Sequence, residues 1–78
     1  MVDSVVSLAK LMPGQVAEIF RIDGHAEEIH RLEEFGLGRG THVEMFRQGN
    51  PCIVRTAGGK VCLRLQRQFD VLVRPVAW

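Results

Sequence analysis

The chain has 78 residues, 46% hydrophobic and 24% charged, with a formal net charge of +1. This is ordinary globular composition for one domain, 1–78, and it excludes a disordered chain; the core must be thin, because a chain of this size buries only about 60% of its unfolded surface. Arg21, Arg31, Arg39, Arg47, Arg55, Arg64, Arg67 and Arg74 are spread evenly, which argues against a nucleic-acid surface unless strands gather residues distant in sequence.

No apolar run approaches the roughly 20 residues of a membrane span, so direct membrane insertion is not expected. Met1-Val2-Asp3 lacks the basic start of a signal peptide, and the expectation is a cytoplasmic protein. In that compartment Cys52 and Cys62 are not a disulfide framework.

Val5 to Met12 predicts a strand lead-in and one helical turn, ended by Pro13-Gly14. Gln15 to Ile22 is rich in β-branched and aromatic residues and predicts a strand. Val16, Phe20 and Ile22 share one side, and Ala17 and Ile19 the other. Asp23-Gly24 is a turn and a plausible helix cap. His25 to Phe35 is the one convincing helix, with Ala26, Ile29, Leu32 and Phe35 on its apolar face and Glu27, His30, Arg31 and Glu34 opposite.

Thr41 to Gln48 predicts the next strand. Cys52 to Thr56 and Lys60 to Gln66 flank Ala57-Gly58-Gly59, a hairpin signal. A turn at Gly58-Gly59 puts Cys62 opposite Arg55 and Cys52 opposite Leu65. Val71 to Val76 is the last strand, its end confined to an edge by Pro75. About five short strands with one inserted helix predict a mainly β fold, a small barrel.

Gly36-Leu37-Gly38-Arg39-Gly40 suggests a phosphate-cradling loop, but the order is wrong. Such loops run from strand through glycines to a helix N-terminus, where free amides face the phosphate. Here the glycines follow a helix, at the negative end of its dipole. Gly36 reads as the helix stop and Gly40 as a tight turn into the next strand. Leu37 lies on that short loop, either tucked under the barrel or offered to a partner.

With the elements in order, the chain resembles the FeoA family, small cytoplasmic proteins of bacterial ferrous-iron uptake. The likeness rests on Leu8-Ala9-Lys10-Leu11-Met12-Pro13-Gly14, on Gly36-Leu37 with Gly40 after the helix, on Gly49-Asn50-Pro51, and on Val61-Cys62-Leu63-Arg64 before a final apolar strand. It spans about Val5 to Val76; Gln68 and Leu65 depart from the usual pattern. The resemblance implies an SH3-like β-barrel and no enzyme. It further implies an accessory or regulatory partner of FeoB, a membrane transporter with a cytoplasmic G-domain. Similar barrels occur in iron-dependent repressors of the DtxR type, which makes a metal-sensing domain the alternative reading.

Glu27, His30 and Glu34 share a helix face and offer a divalent ion an adventitious contact, but a di-iron site needs matching motifs from other helices. Cys52 and Cys62 lack metal-ligand spacing, and free Cys more often packs as a small apolar residue. His42 reads as a surface residue; His25 packs or caps at the helix start. Ser4 and Ser7 have no neighbouring histidine in sequence, and Glu33-Glu34 diverge around the helix, so no catalytic set emerges. The expectation is therefore a binding protein with no obligatory cofactor and no metal site. Its docking surface is expected at Leu37, Arg39, Met45 and Phe46, with Pro13, Gly14, Gly36, Gly40, Gly49 and Pro51 as structural turns. Weak self-association stays open.

Overall fold

A computed structural model describes residues 4–65 and 69–76. In chain order it has β1 (Val6–Ser7), one 3-10 turn (Leu8–Lys10), β2 (Val16–Asp23), α1 (Ala26–Glu34), β3 (His42–Arg47), β4 (Cys52–Thr56), β5 (Gly59–Leu63) and β6 (Asp70–Pro75). The expectations for Gln66, Gln68 and Met1-Val2-Asp3 lie outside the described residues.

The fold is a single antiparallel sheet of six strands in the order β1-β6-β2-β3-β4-β5, with one helix. β2 is its hinge. Its start pairs with β3 from Val16 to Glu18, while Ala17 to Asp23 run beside β6. A register shift between Ile19 and Arg21 lets β2 bend from one neighbour to the other. The expected barrel has its strands, but its ring is not closed by hydrogen bonds. Among the described residues no ladder joins the edge strands β1 and β5. The short lead-in, rather than remaining isolated, becomes a sixth strand by pairing Val6 with Val73 and Ser7 with Leu72.

The concave side of the sheet buries one apolar cluster. Ala17 and Ile19 of β2, Val43 and Met45 of β3, Cys52 and Val54 of β4, Leu63 of β5, and Val71 and Val73 of β6 all enter it. Leu8 and Leu11 close one side and Leu32, Leu37 and Phe69 complete the cluster. Each fully buried Val or Leu contributes about 1.5–3 kcal/mol of transfer free energy, which is what a thin core needs. The two-residue alternation explains the membership, since side chains at i and i+2 share a sheet face.

Three local expectations change. The hairpin turns at Ala57-Gly58, with Thr56 opposite Gly59, so Cys52 faces Leu63 and Cys62 faces Ile53. The register therefore slips by two residues from the expected pairing. The slip favours the two-residue turn, in which the Thr56 hydroxyl accepts from Gly58 N–H (3.1 Å) and donates to the Gly59 carbonyl (3.0 Å). The helix cap is His25, whose N–H donates to the Glu28 carboxylate (3.3 Å). Asp23 instead ends β2 and pairs with Arg21 at 3.0 Å. The apolar helix face is also narrower than its periodicity suggests. Leu32 is buried and Ile29 half-buried, but Ala26 is exposed and Phe35 is 57% exposed.

Helix α1 ends in a Schellman motif. Gly36 has φ +85°, a left-handed conformation that only glycine adopts cheaply. Its N–H bonds the Glu33 carbonyl (3.1 Å), and the Leu37 N–H reaches back to Leu32 (2.9 Å). Gly40, also left-handed at φ +87°, docks the following turn on β2. Its N–H bonds Ile19 O (2.8 Å), and Ile19 N–H returns to Thr41 O (2.8 Å).

Candidate docking face

The convex face of β3, β4 and β5 follows from register. Residues directly opposite in an antiparallel ladder point to the same side. One row runs Glu44, Arg55, Lys60; a second runs Arg47, Ile53, Cys62. Cys52 and Val54, on either side of Ile53 in the chain, are buried on the other side. A register shift between Met45 and Arg47 leaves Phe46 as an extra residue on β3. A bulge of this kind lets two successive residues face outward, and both Phe46 and Arg47 are exposed.

Phe46 is the centre of this face. Its side chain is 45% exposed, and the Lys60 ammonium sits 3.8 Å from the ring centroid. The Arg55 guanidinium lies 5.6 Å from the same centroid and 4.0 Å from Glu44. The negative face of an aromatic ring attracts cations in this way, so the ring holds both side chains near itself. Ile53, half-buried, extends the apolar centre.

Arg39 lies elsewhere. With Glu18, Ile19, Phe20, Gly40 and Arg74 it lines an open cleft of about 280 Å³. Arg74 lies 5.0 Å from the Phe20 ring centroid and 4.0 Å from Glu18. The cleft exists because Gly38–Thr41 is locked onto β2, so Arg39 projects over its outer face.

The expected docking set is thus divided. Leu37 is 1% exposed and Met45 is fully buried. Leu37 occupies the position after the left-handed glycine of the Schellman motif, where an apolar residue packs back on the last helical turn. Met45 has the inward parity of Val43. Neither side chain is on the surface, which corrects the expectation for these two; of the expected set, Phe46 is exposed on this face and Arg39 lines a separate cleft. Sequence reasoning passed over Arg47, Arg55 and Lys60 as neighbours of Phe46. The alternation of Cys52 to Thr56 points Ile53 and Arg55 outward together, but the bulge and the hairpin register are needed to bring Phe46 and Lys60 beside them.

The other titratable groups are dispersed. Among the described residues no three His, Cys, Asp or Glu gather in a metal-holding cluster. On the helix face His30 and Glu34 make an exposed contact at 3.7 Å. Cys52 is buried and Cys62 exposed on the opposite face. Burial pushes the Cys52 thiol above its ordinary value; a backbone hydrogen bond lowers it, and the nearby Cys62 raises it slightly.

A family model described as the FeoA domain matches residues 6–75. The chain belongs to the FeoA domain family. This family is linked to ferrous-iron transport, and its members are small accessory domains rather than a known enzyme family. A crystal structure of an iron uptake regulatory protein, FeoA, superposes with TM-score 0.82 at 23% identity, covering 94% of this chain and 100% of that one. The FeoA protein from Chlorobium tepidum, solved in solution by NMR, gives TM-score 0.83 at 25% identity, over 92% of this chain and 71% of that one. Comparison with curated proteins finds no match. Among the described residues no helix is long and apolar enough to cross a membrane.

Proposed function

We propose that this FeoA domain is a non-enzymatic accessory protein of bacterial ferrous-iron uptake, acting on the cytoplasmic side by contact with a FeoB-type transporter. Family membership supports the transport setting. The observation that carries the docking reading is the half-exposed Phe46 ring with Lys60 and Arg55 held over it. Aromatic and arginine side chains dominate the energetics of protein contacts, and a ring already ordered by neighbouring cations loses little entropy on docking. Regulation would then follow from occupancy: the bound domain shifts whichever conformation of the transporter it binds more tightly.

The test is calorimetric titration of the chain with the isolated cytoplasmic part of FeoB, with and without guanine nucleotide. Saturable 1:1 binding that Phe46→Ala weakens is expected. Absence of binding in both nucleotide states would remove the proposal.

A further inference from the structure

We propose that the Phe46 face takes an acidic segment of a protein partner, with Asp or Glu side chains flanking an apolar residue. This deepens the docking reading and rests on it for the identity of the partner, not for the chemistry of the face. The arginines look evenly scattered in the sequence, but the sheet gathers some of them. Arg55 and Lys60 stand in adjacent positions of one row, and Arg47 heads the next. Among the described residues of these two rows, Glu44 is the one acidic group. Two cations lie over the aromatic ring and a third, Arg47, follows it in the chain, against one carboxylate, on a chain whose net charge is only +1. The apolar centre is Phe46 with Ile53 beside it. An occupant that matches needs an apolar side chain for that centre and carboxylates for the rim. Charge pairs at a rim steer encounter and fix register, while the centre supplies the desolvated contact.

Two other occupants fit less well. A single-stranded nucleic acid would stack a base on the ring. The Lys60 ammonium, 3.8 Å from the centroid, already occupies a face of that ring, and Glu44 would repel the backbone phosphates. A second copy of the chain could offer exposed Glu33 and Glu34 of α1 with the C-cap Phe35. There both carboxylates precede the ring and Gly36 follows it, so they do not flank an apolar residue on both sides.

The experiment is a backbone-amide NMR titration of the whole chain with a short peptide of glutamates around a central leucine, beside a short oligouridylate. The peptide is expected to shift Phe46, Arg47, Arg55 and Lys60 selectively. Arg55→Glu with Lys60→Glu should weaken the peptide about tenfold or more. Raising ionic strength from about 0.01 M to about 0.15 M should weaken it as well, because the Debye length shrinks from about 30 Å to about 8 Å. Should the double variant fail to fold by circular dichroism, Lys60→Gln reads the same loss at smaller size. The proposal is overturned by tighter binding of the oligouridylate at these residues, by peptide binding indifferent to charge and salt, or by no shifts at this face. Concentration-dependent shifts of the same amides without any peptide would assign the face to self-association and also overturn it. If the cytoplasmic part of FeoB binds equally well to the Arg55→Glu, Lys60→Glu variant, the acidic-segment inference falls while the FeoB reading stands. If FeoB does not bind but the acidic peptide does, the reverse holds.

Discussion

Met45 and Phe46 are adjacent on β3 and end in opposite environments. Met45 is fully buried in the concave core, whereas Phe46 keeps 45% of its surface on the convex side, under two cations. The same contrast runs through the neighbouring strand, where Val54 is core and Arg55 is surface. Hydrophobicity does not separate Met45 from Phe46; strand parity does, and the extra residue at the bulge makes two outward positions consecutive. A sheet of this size can therefore be apolar on both sides for different reasons, with packing inside and contact outside.

That contrast can be broken from the inside first. Leu37→Asp should abolish folding. It buries a charge without a partner, and a domain of this length holds only about 4–12 kcal/mol of stability in total. Loss of the far-UV circular dichroism spectrum is the expected result; a folded variant would move Leu37 to the surface. Met45→Ala should cost about 2–5 kcal/mol, read as a lower denaturant midpoint, because the core closes only partly around the space left. A smaller effect concerns Cys52. In the unfolded chain a thiol ionises near pH ~8.5, while burial makes the folded chain hold the proton to higher pH. The stability it contributes is thus intact below about pH 8.5 and declines as pH rises through the folded value. Denaturant melts near neutral pH and near pH ~9.5, under reducing conditions, should show the decline, and Cys52→Val should remove that component of it. The smallest change is expected outside: Phe46→Ala should alter stability by within about 0.5 kcal/mol, since surface positions rarely matter more. A large loss there would mean that the ring supports the bulge rather than a partner.

Much of the fold was legible because two physical signals agreed. Alternation marked β2 to β6, and Gly36 marked the end of α1. What escaped the sequence was relational. The hairpin register depended on a Thr56 hydroxyl stabilising the two-residue turn, a contact that simple counting from Gly58-Gly59 does not include. Helical periodicity placed Phe35 with Leu32, but α1 is short and Leu32, in its last turn, is the one residue of the helix that is buried. Leu37 could have been assigned from the sequence, because an apolar residue just after a helix-ending glycine is itself a packing signal. The site was less legible than the fold. Phe46 was visible as an aromatic on a strand; its cationic neighbours were not, because they come from β4 and β5 across a bulge.

One feature of the sheet order bears on how the molecule comes into being. β6 lies between β1 and β2, although the Ser7 hydroxyl and the Asp70 carboxylate it meets at 2.8 Å are 63 positions apart. Both early strands must wait, unpaired on that side, for the last strand to arrive. Topologies dominated by such distant pairings assemble slowly, because a long loop must close before any contact repays it. During synthesis, β1 leaves the ribosome without its single ladder and β2 without one of its two, and both acquire them only when residues 70–75 follow.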